Sequence, residues 1–350
     1  MHTSSLALVL ASVSAVFAHP VHQRSELKII GRDYSAKVVR ETAATGLDIL
    51  STGNQAFRDG IGKSDPELLK KLTDDGQAPP FMFLGCSDSR VSEGTVFNAK
   101  PGTLFTQRNI ANQFQSNDAN AQSVLSYAVA ELGVNHVIVM GHYGCGGVAA
   151  AIASPPTNQV DAANGAVQNW IEPIREIFRT STRPEIVELR TKNEGVALVE
   201  EPDVKEPGFR ALVEENVKAG VRRIVADSVI SNHFALLPKA SATPAVNVTP
   251  PVNATITEKR AEGGAPTEVF VHGFVYDIES GVVQDLGISV GPPGVAIPKI
   301  PFEAVAKSAE AAAKAHESAP KASETPKKPC EQLCKAKRAF AGVFPTLVDY

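Results

Sequence analysis

The segment FMFLGCSDSR, residues 81–90, joins an apolar run to a cysteine and a group of small polar and charged residues. A short, continuous apolar run that ends at a glycine is typical of a strand buried on both faces. Cys86 therefore lies at the carboxyl end of a predicted strand. Because Asp88 and Arg90 follow within four residues, this strand end carries a thiol, a carboxylate and a guanidinium together.

Two further apolar runs predict strands that neighbour the first. They are TLFTQ at residues 103–107 and HVIVMGH at residues 136–142, and the pattern AQSVLSYAVAEL between them is helical. Strands that lack polar alternation and are separated by helices indicate a parallel sheet covered on both faces. We therefore expect an α/β fold with a mainly parallel central β-sheet flanked by helices.

The apolar segment at residues 267–290 predicts a hairpin whose turn contains Glu279-Ser280-Gly281. This hairpin would add an antiparallel edge strand to the sheet. Helical patterns occupy residues 33–75, 166–178 and 209–226.

The chain divides into one domain and several extensions. We expect a signal peptide over residues 1–18 and a folded domain over residues 27–292. Residues 237–266 form a Pro/Thr-rich stretch without periodicity and are predicted to be an exposed insertion. Residues 302–350 are predicted to be a low-complexity tail, rich in Ala, Lys, Glu, Ser and Pro.

The amino-terminal segment predicts secretion. Val16 and Ala18 satisfy the small-residue rule for cleavage before His19. A membrane anchor is the alternative, but the apolar run is short for one, and no later segment reaches the ~20 apolar residues that span a bilayer. The net charge of −4 and the lack of basic blocks argue against nucleic acid as a partner.

Three other features fit a secreted chain. The sequons at Asn247 and Asn253 predict glycosylation in the exposed insertion. Lys259-Arg260 resembles a dibasic processing site. Cys330 and Cys334 are most simply a disulfide, either local or between subunits.

Cys86 and Cys145 each follow a predicted parallel strand, and binding groups in such sheets gather beyond the carboxyl ends of the strands. His142 lies three residues before Cys145, with Gly144 between them. This spacing lets one turn direct both side chains at a single ion. Two thiolates and an imidazole suit zinc, and three protein ligands with an open fourth position are typical of catalytic zinc sites.

Other interpretations of the two thiols remain open at this point. Cys86 and Cys145 could form a disulfide, a redox pair or a buried pair of inert thiols. None of these needs an imidazole at the position of His142, which favours the metal site. His136 and His272 are expected to be structural.

The motifs CSDSR and GHYGCGG resemble those of the beta-class carbonic anhydrases. The resemblance extends to GNQAF, QAPPFMFLGCSDSRV, TQRNIAN, EENV and VHGFVYDIESG, and so covers most of residues 45–290. It implies that Cys86, His142 and Cys145 bind one zinc ion. The implied activity is the reversible hydration of carbon dioxide to bicarbonate and a proton by zinc-bound hydroxide.

The resemblance also assigns roles to three further residues. Asp88 and Arg90 match a catalytic dyad in which the arginine keeps the aspartate away from the fourth zinc position. Gln77 matches a glutamine that hydrogen-bonds the substrate. The implied assembly is a homodimer or higher oligomer whose active-site walls are shared between subunits.

Alternative functions remain for this site. Hydrolysis of carbonyl sulfide or carbon disulfide would use the same scaffold, and a catalytically silent zinc-stabilised binding module would use the same ligands. Intact Asp88, Arg90 and Gln77 argue against the silent module, because a structural site would be closed by a fourth cysteine or histidine.

Two expectations concern the response to pH and to bicarbonate. Two thiolates cancel the charge of Zn²⁺, so we expect a weaker Lewis acid than a zinc site with three imidazoles. The activity should therefore rise with pH through and above neutrality. Release of Asp88 from Arg90 would allow a closed, inactive state. A related subgroup has a regulatory bicarbonate pocket at positions matching Phe83, Arg108 and Tyr276, but phenylalanine has no indole N–H to donate, which argues against that pocket here.

Overall fold

The computed structural model describes residues 46–156, 162–237 and 267–305. Several predicted features lie outside these residues. They are the signal peptide over residues 1–18, the sequons at Asn247 and Asn253, the Lys259-Arg260 pair, the cysteines Cys330 and Cys334, and most of the predicted insertion and tail. Within the described residues, no helix combines the length and the apolar character that a bilayer crossing requires.

Five strands of the described chain form one sheet in the order β2-β1-β3-β4-β5. The strands are β1 (Phe81–Cys86), β2 (Leu104–Asn109), β3 (His136–His142), β4 (Phe270–Asp277) and β5 (Val282–Val290). The pairs β1–β2, β1–β3 and β3–β4 are parallel, and the pair β4–β5 is antiparallel. The predicted fold, a mainly parallel sheet with an antiparallel edge strand, is confirmed.

Helices surround this sheet. Those of the described residues are α1 (Leu47–Ser64), α2 (Leu68–Asp74), α3 (Glu93–Val96), α4 (Ala119–Ser126), α5 (Gly146–Ile152), α6 (Ala162–Trp170), α7 (Glu172–Thr180), α8 (Pro184–Lys192), α9 (Pro207–Ala226) and α10 (Ser228–Leu236). A 3₁₀ turn at Ile110–Asn112 and a π-helical turn at Tyr127–Glu131 complete the regular structure.

The predicted helical segments are present wherever the chain is described, but their ends differ. The single pattern over residues 166–178 is divided at Ile171, because Pro173 lies in the first turn of a new helix, α7. The helices α8 and α10 were not predicted. The α10 helix begins at Ser228, directly after α9. Its N-cap is Asp227, whose side chain accepts a hydrogen bond from the Val229 N–H at 2.9 Å.

The long helix α9 packs closely against the central strands. A side chain at Gly141 in β3 would place its Cβ 2.6 Å from Val217 Cγ2, and a Cβ at Gly273 in β4 would lie 3.3 Å from Val217 Cγ1. A side chain at Gly141 would therefore force Val217 to move, and one at Gly273 would crowd the same valine. Because Gly141 immediately precedes His142, the packing of α9 also holds the carboxyl end of β3.

A histidine pair crosses the amino-terminal half of the sheet. His136 Nδ1 lies 3.0 Å from His272 Nε2, and His272 Nδ1 lies 2.9 Å from Ser289 Oγ. Burial lowers the pKa of His136. Burial, with a smaller contribution from the charge of His136, lowers the pKa of His272 to about 4. Both rings are therefore neutral hydrogen-bonding groups of the fold at neutral pH.

The depressed pKa of His272 predicts a pH-dependent stability. The unfolded chain takes up a proton below about pH 6.5, whereas the folded ring stays neutral down to about pH 4. The contribution of neutral His272 to the free energy of unfolding is therefore fully present above pH 6.5. It is lost as the pH falls from about 6.5 to about 4. The slope is at most about 1.4 kcal/mol per pH unit for one proton.

We expect the substitution His272→Gln to flatten the dependence of the free energy of unfolding on pH between 6.5 and 4.5. Urea unfolding at fixed protein concentration measures this slope. The matched control is His233→Gln, which removes another buried histidine, one whose Nε2 lies 2.6 Å from the Thr267 carbonyl oxygen. An identical slope in wild type and His272→Gln would contradict the assignment.

Candidate metal centre

The carboxyl ends of β1 and β3 bring the predicted metal ligands together. Cys86 is the last residue of β1, and His142 is the last residue of β3. The two strands are parallel neighbours in the sheet, so their carboxyl ends lie at one edge. Both residues are almost completely buried, with Cys86 5% exposed and His142 0% exposed.

The third predicted ligand arrives through a tight turn. Gly144 has a φ of +74°, a left-handed conformation that L side chains rarely adopt. The turn places Cys145 at the amino end of α5, where its side chain is 1% exposed. The predicted use of Gly144 to direct His142 and Cys145 at the same point agrees with this geometry.

The three side chains form a compact group. Cys86 Sγ lies 3.9 Å from Cys145 Sγ, and one ligand atom from each of Cys86, His142 and Cys145 lies within 4.8 Å of the others. Two sulfur atoms bound to one tetrahedral zinc are about 3.8 Å apart, given Zn–S bonds of about 2.3 Å. Both thiols are free, so the disulfide interpretation does not describe this structure. The group could therefore hold a metal ion.

The imidazole of His142 is oriented as a ligand. Its Nδ1 lies 3.2 Å from the Tyr143 carbonyl oxygen, which can only accept a hydrogen bond, so this nitrogen carries the proton. Its Nε2 is buried and has no hydrogen-bond partner in the described structure. A buried nitrogen lone pair without a partner is unfavourable, and a metal ion bound at Nε2 would satisfy it.

The two thiols differ in acidity because they interact. The hydrogen bond from Cys145 lowers the pKa of Cys86 to about 4, and nearby His142 contributes to this shift. The same sulfur contact, together with complete burial, raises the pKa of Cys145. One thiolate thus forms readily, and the second is opposed by the first. A divalent cation between the sulfur atoms would stabilise both thiolates.

Asp88 and Arg90 form the predicted pair beside the thiols. Arg90 Nε donates to Asp88 Oδ1 at 2.9 Å, and Arg90 Nη2 donates to Asp88 Oδ2 at 2.6 Å. The Arg90 backbone N–H also donates to Oδ1, at 2.9 Å. Burial alone would raise the pKa of Asp88, but the hydrogen bonds from Arg90 outweigh it and hold the pKa at about 2. Asp88 is therefore ionised and fixed in orientation.

The position of Asp88 relates the pair to the metal ligands. Asp88 Oδ2 lies 3.7 Å from His142 Nε2. Arg90 Nη2 also lies 3.4 Å from the Gly144 carbonyl oxygen, in the turn between His142 and Cys145. The aspartate–arginine pair thus adjoins the group of Cys86, His142 and Cys145.

Gln77 lies away from the metal-ligating group of its own chain. It lies in the loop before the amino end of β1, with an exposed side chain, whereas Cys86 lies at the carboxyl end of the same strand. The strand between them is about 17 Å long at about 3.3 Å per residue. The structure therefore brings together five of the six predicted site residues.

A buried network behind His142 was not predicted. Tyr143 donates its hydroxyl hydrogen to Glu214 Oε1 at 2.8 Å, and Arg183 Nη1 donates to Glu214 Oε2 at 2.7 Å. The guanidinium of Arg210 lies 3.4 Å above the centre of the Tyr143 ring. The network anchors the turn after β3 to α9. Its sequence signals are the carboxylate of Glu214 within the apolar stripe of that helix and the EENV motif that begins with this residue.

Comparison with known proteins identifies the family of this chain. The model of the carbonic anhydrase family matches residues 81–236 of this chain. A carbonic anhydrase of Emericella nidulans is 30% identical over 248 residues, which cover 71% of this chain and 86% of the relative. A beta-carbonic anhydrase of Coccomyxa, solved in complex with acetazolamide, superposes with a TM-score of 0.52 at 26% identity and covers 71% of this chain and 89% of its own.

The chain belongs to the beta-class carbonic anhydrases. It is therefore grouped with the carbonate dehydratases, which are lyases. A beta-carbonic anhydrase from Sordaria macrospora, described as tetrameric, superposes with a TM-score of 0.50 at 25% identity and covers 70% of this chain and 98% of its own. The resemblance inferred from CSDSR and GHYGCGG is confirmed at the level of the family.

Proposed function

We propose that this beta-class carbonic anhydrase binds one zinc ion per chain and interconverts carbon dioxide and bicarbonate. The observation that carries this proposal is the buried group of Cys86, His142 and Cys145 beside an ionised, bidentate Asp88–Arg90 pair. Zinc held by these three side chains would supply a Lewis acid that lowers the pKa of bound water and so makes it a nucleophile.

The residues around this position support catalysis rather than a structural role. The metal-ligating group of the described residues has three members, and a closed structural site would have four. A carboxylate oxygen close to the group, Asp88 Oδ2, lies 3.7 Å from His142 Nε2 and accepts a hydrogen bond from Arg90 at 2.6 Å. The aspartate is thereby kept as a hydrogen-bond acceptor at the open side of the group.

The Asp88–Arg90 pair would orient the nucleophile. An ionised carboxylate accepts a hydrogen bond from the attacking oxygen and so directs the lone pair of that oxygen towards carbon dioxide. Arg90 fixes the carboxylate by two parallel hydrogen bonds, which set its plane as well as its charge. The pair stays charged at every pH at which the protein is expected to work, because the pKa of Asp88 is about 2.

We expect purified protein to contain about one zinc per chain and to hydrate carbon dioxide. Because the two thiolates offset the charge of the metal, the rate should rise with pH through and above neutrality. Elemental analysis measures the zinc, and stopped-flow hydration with a pH indicator measures the rate. The substitution Cys145→Ser removes a ligand and should lower the zinc content and the hydration rate together, each by at least 10-fold.

The control for this comparison is Cys330→Ser, which removes a cysteine from the predicted tail and should leave zinc and rate unchanged. Active protein without zinc, or zinc-loaded protein without hydration activity, would contradict the proposal. A rate that is flat from slightly acid to alkaline pH would contradict the predicted effect of the thiolates.

We further propose that Gln77 acts at the site of a second copy of the chain. Two features support a shared site: Gln77 is exposed at the end of β1 away from Cys86, and α1 exposes large apolar side chains while burying none of its residues. Such a helix face is typical of a surface covered by a partner. A homodimer or a higher symmetric oligomer would place Gln77 of one copy beside the ligands of the other.

Complementation tests this shared site. In a mixed dimer, the Gln77→Ala chain supplies intact metal ligands and the Cys145→Ser chain supplies an intact Gln77. One of the two sites is therefore complete, and the other lacks both. Coexpression of the two variants should therefore restore about a quarter of the wild-type activity, because half of the dimers are mixed. The mixture would show no more than the average of the two parents if Gln77 acted within its own chain.

We also propose that the protein is secreted and glycosylated. The support is the signal-peptide pattern of residues 1–18 and the sequons at Asn247 and Asn253. The intact mass of protein recovered from the culture medium should show cleavage before His19 and a glycan mass that an endoglycosidase removes. Retention of the full-length chain inside the cell would contradict secretion.

A further inference from the structure

Arg108 lies beside the metal group but was not assigned a role in it. It is the fifth residue of the edge strand β2, and its register partner in β1 is Gly85, the residue before Cys86. The ladder between the two strands extends one step further, because the Ser87 N–H donates to the Asn109 carbonyl oxygen at 2.9 Å. Beyond Ser87 the β1 chain turns away, and its remaining carbonyl groups need other donors.

The guanidinium of Arg108 supplies two of those donors. Its Nε donates to the Cys86 carbonyl oxygen at 2.9 Å, and its Nη2 donates to the Asp88 carbonyl oxygen at 2.7 Å. These two carbonyl groups are separated by Ser87 alone. One rigid, planar group therefore spans the turn that carries both a metal-ligating thiol and the carboxylate of the catalytic pair.

The remaining nitrogen of the Arg108 guanidinium, Nη1, faces the carboxylate of Glu93. Arg108 Nη1 lies 3.8 Å from Glu93 Oε2, a buried oxygen without a hydrogen-bond partner in the described residues. The side chains of Arg108 and Glu93 are 28% and 17% exposed. The guanidinium is thus held between the backbone turn and the start of α3, which limits its freedom to leave the carbonyl groups.

The surroundings of Arg108 oppose a role in regulatory bicarbonate binding. Two of its N–H donors are engaged by backbone carbonyl oxygens. Phe83, on the strand beside it, is fully buried with its ring folded over Gly85, where an added Cβ would lie 2.2 Å from Phe83 Cε1. An anion at this place would lack an indole donor from Phe83 and would have to displace the hydrogen bonds that Arg108 already makes.

We infer that Arg108 is a positioning residue of the metal centre. By holding the carbonyl groups of Cys86 and Asp88, it fixes the distance and direction of the Cys86 thiolate relative to the Asp88–Arg90 pair. This inference rests on the proposed function, because it assigns Arg108 to the geometry of the proposed zinc site. Lysine at this position would offer a point charge and could not bridge both carbonyl groups in one plane.

The test compares Arg108→Gln and Arg108→Lys with wild type and with Arg222→Gln. Arg222 is a matched control, since its side chain is 62% exposed and its nearest carboxylate oxygen, on Glu215, lies 4.0 Å away. Each full-length protein is loaded with Co²⁺, whose visible spectrum reports the arrangement of its ligands. Three further quantities are measured: the rate of zinc loss to a chelator, kcat and KM for hydration, and inhibition by bicarbonate.

We expect Arg108→Gln to shift the cobalt bands, to increase the rate of zinc loss and to lower kcat, the last two by about 10- to 100-fold, with a smaller change in KM. Arg108→Lys should recover part of each effect, and Arg222→Gln should match wild type. A cobalt spectrum and a zinc-loss rate equal to wild type in Arg108→Gln would overturn the inference. Variants that change bicarbonate inhibition alone would also overturn it.

The cobalt spectra and the hydration rates test the role of Arg108 and the proposed function separately. Wild-type protein that binds Co²⁺ but does not hydrate carbon dioxide would contradict the function, while the cobalt spectra of the variants would still decide the role of Arg108. If Arg108→Gln does not fold, the Arg108→Lys protein decides the matter in the same way. An unaltered cobalt spectrum and zinc-loss rate in that variant would overturn the inference.

Discussion

The parallel pairing of β1 with β3 is the constraint on which the site depends. Parallel neighbours end at the same edge of a sheet, so a thiol that ends one strand and an imidazole that ends the other must meet. A slip of one residue would turn Cys86 to the opposite face and separate the ligands. The close packing of α9 on Gly141 opposes such a slip at the end of β3.

The ionisable side chains at this edge carry more negative than positive charge when both thiols are ionised. If both thiols are ionised, Asp88 and Glu93 bring the local anions to four, against the guanidinium groups of Arg90 and Arg108. An excess of two negative charges beside the buried thiols is unfavourable. A divalent cation would remove this excess, and the orphaned nitrogen of His142 would become its third ligand. Sheet pairing, thiol acidity and the two arginines therefore all favour metal binding at one point.

Much of this arrangement could be predicted because its signals are local. Strands buried on both faces appear as continuous apolar runs, and a spacing of three residues with a glycine between suffices to bring His142 and Cys145 together. The contacts of Arg108 with the Cys86 and Asp88 carbonyl groups could not be predicted, because they depend on the register between β1 and β2. The link from Tyr143 to Glu214 could not be predicted either, because it joins distant parts of the chain. Gln77 lies before the amino end of β1, away from Cys86, and its place in the proposed shared site would depend on a second copy of the chain.

X-ray absorption at the zinc edge of the purified protein tests the central claim most directly. The account predicts two sulfur neighbours at about 2.3 Å and two lighter neighbours at about 2.0 Å, one of them with the outer-shell pattern of imidazole. The other light neighbour should come from outside the protein, so its signal should change when a small anion that binds zinc is added. Four protein ligands with no response to the anion would contradict an open catalytic site. A zinc ion without sulfur neighbours would contradict the assignment of Cys86 and Cys145.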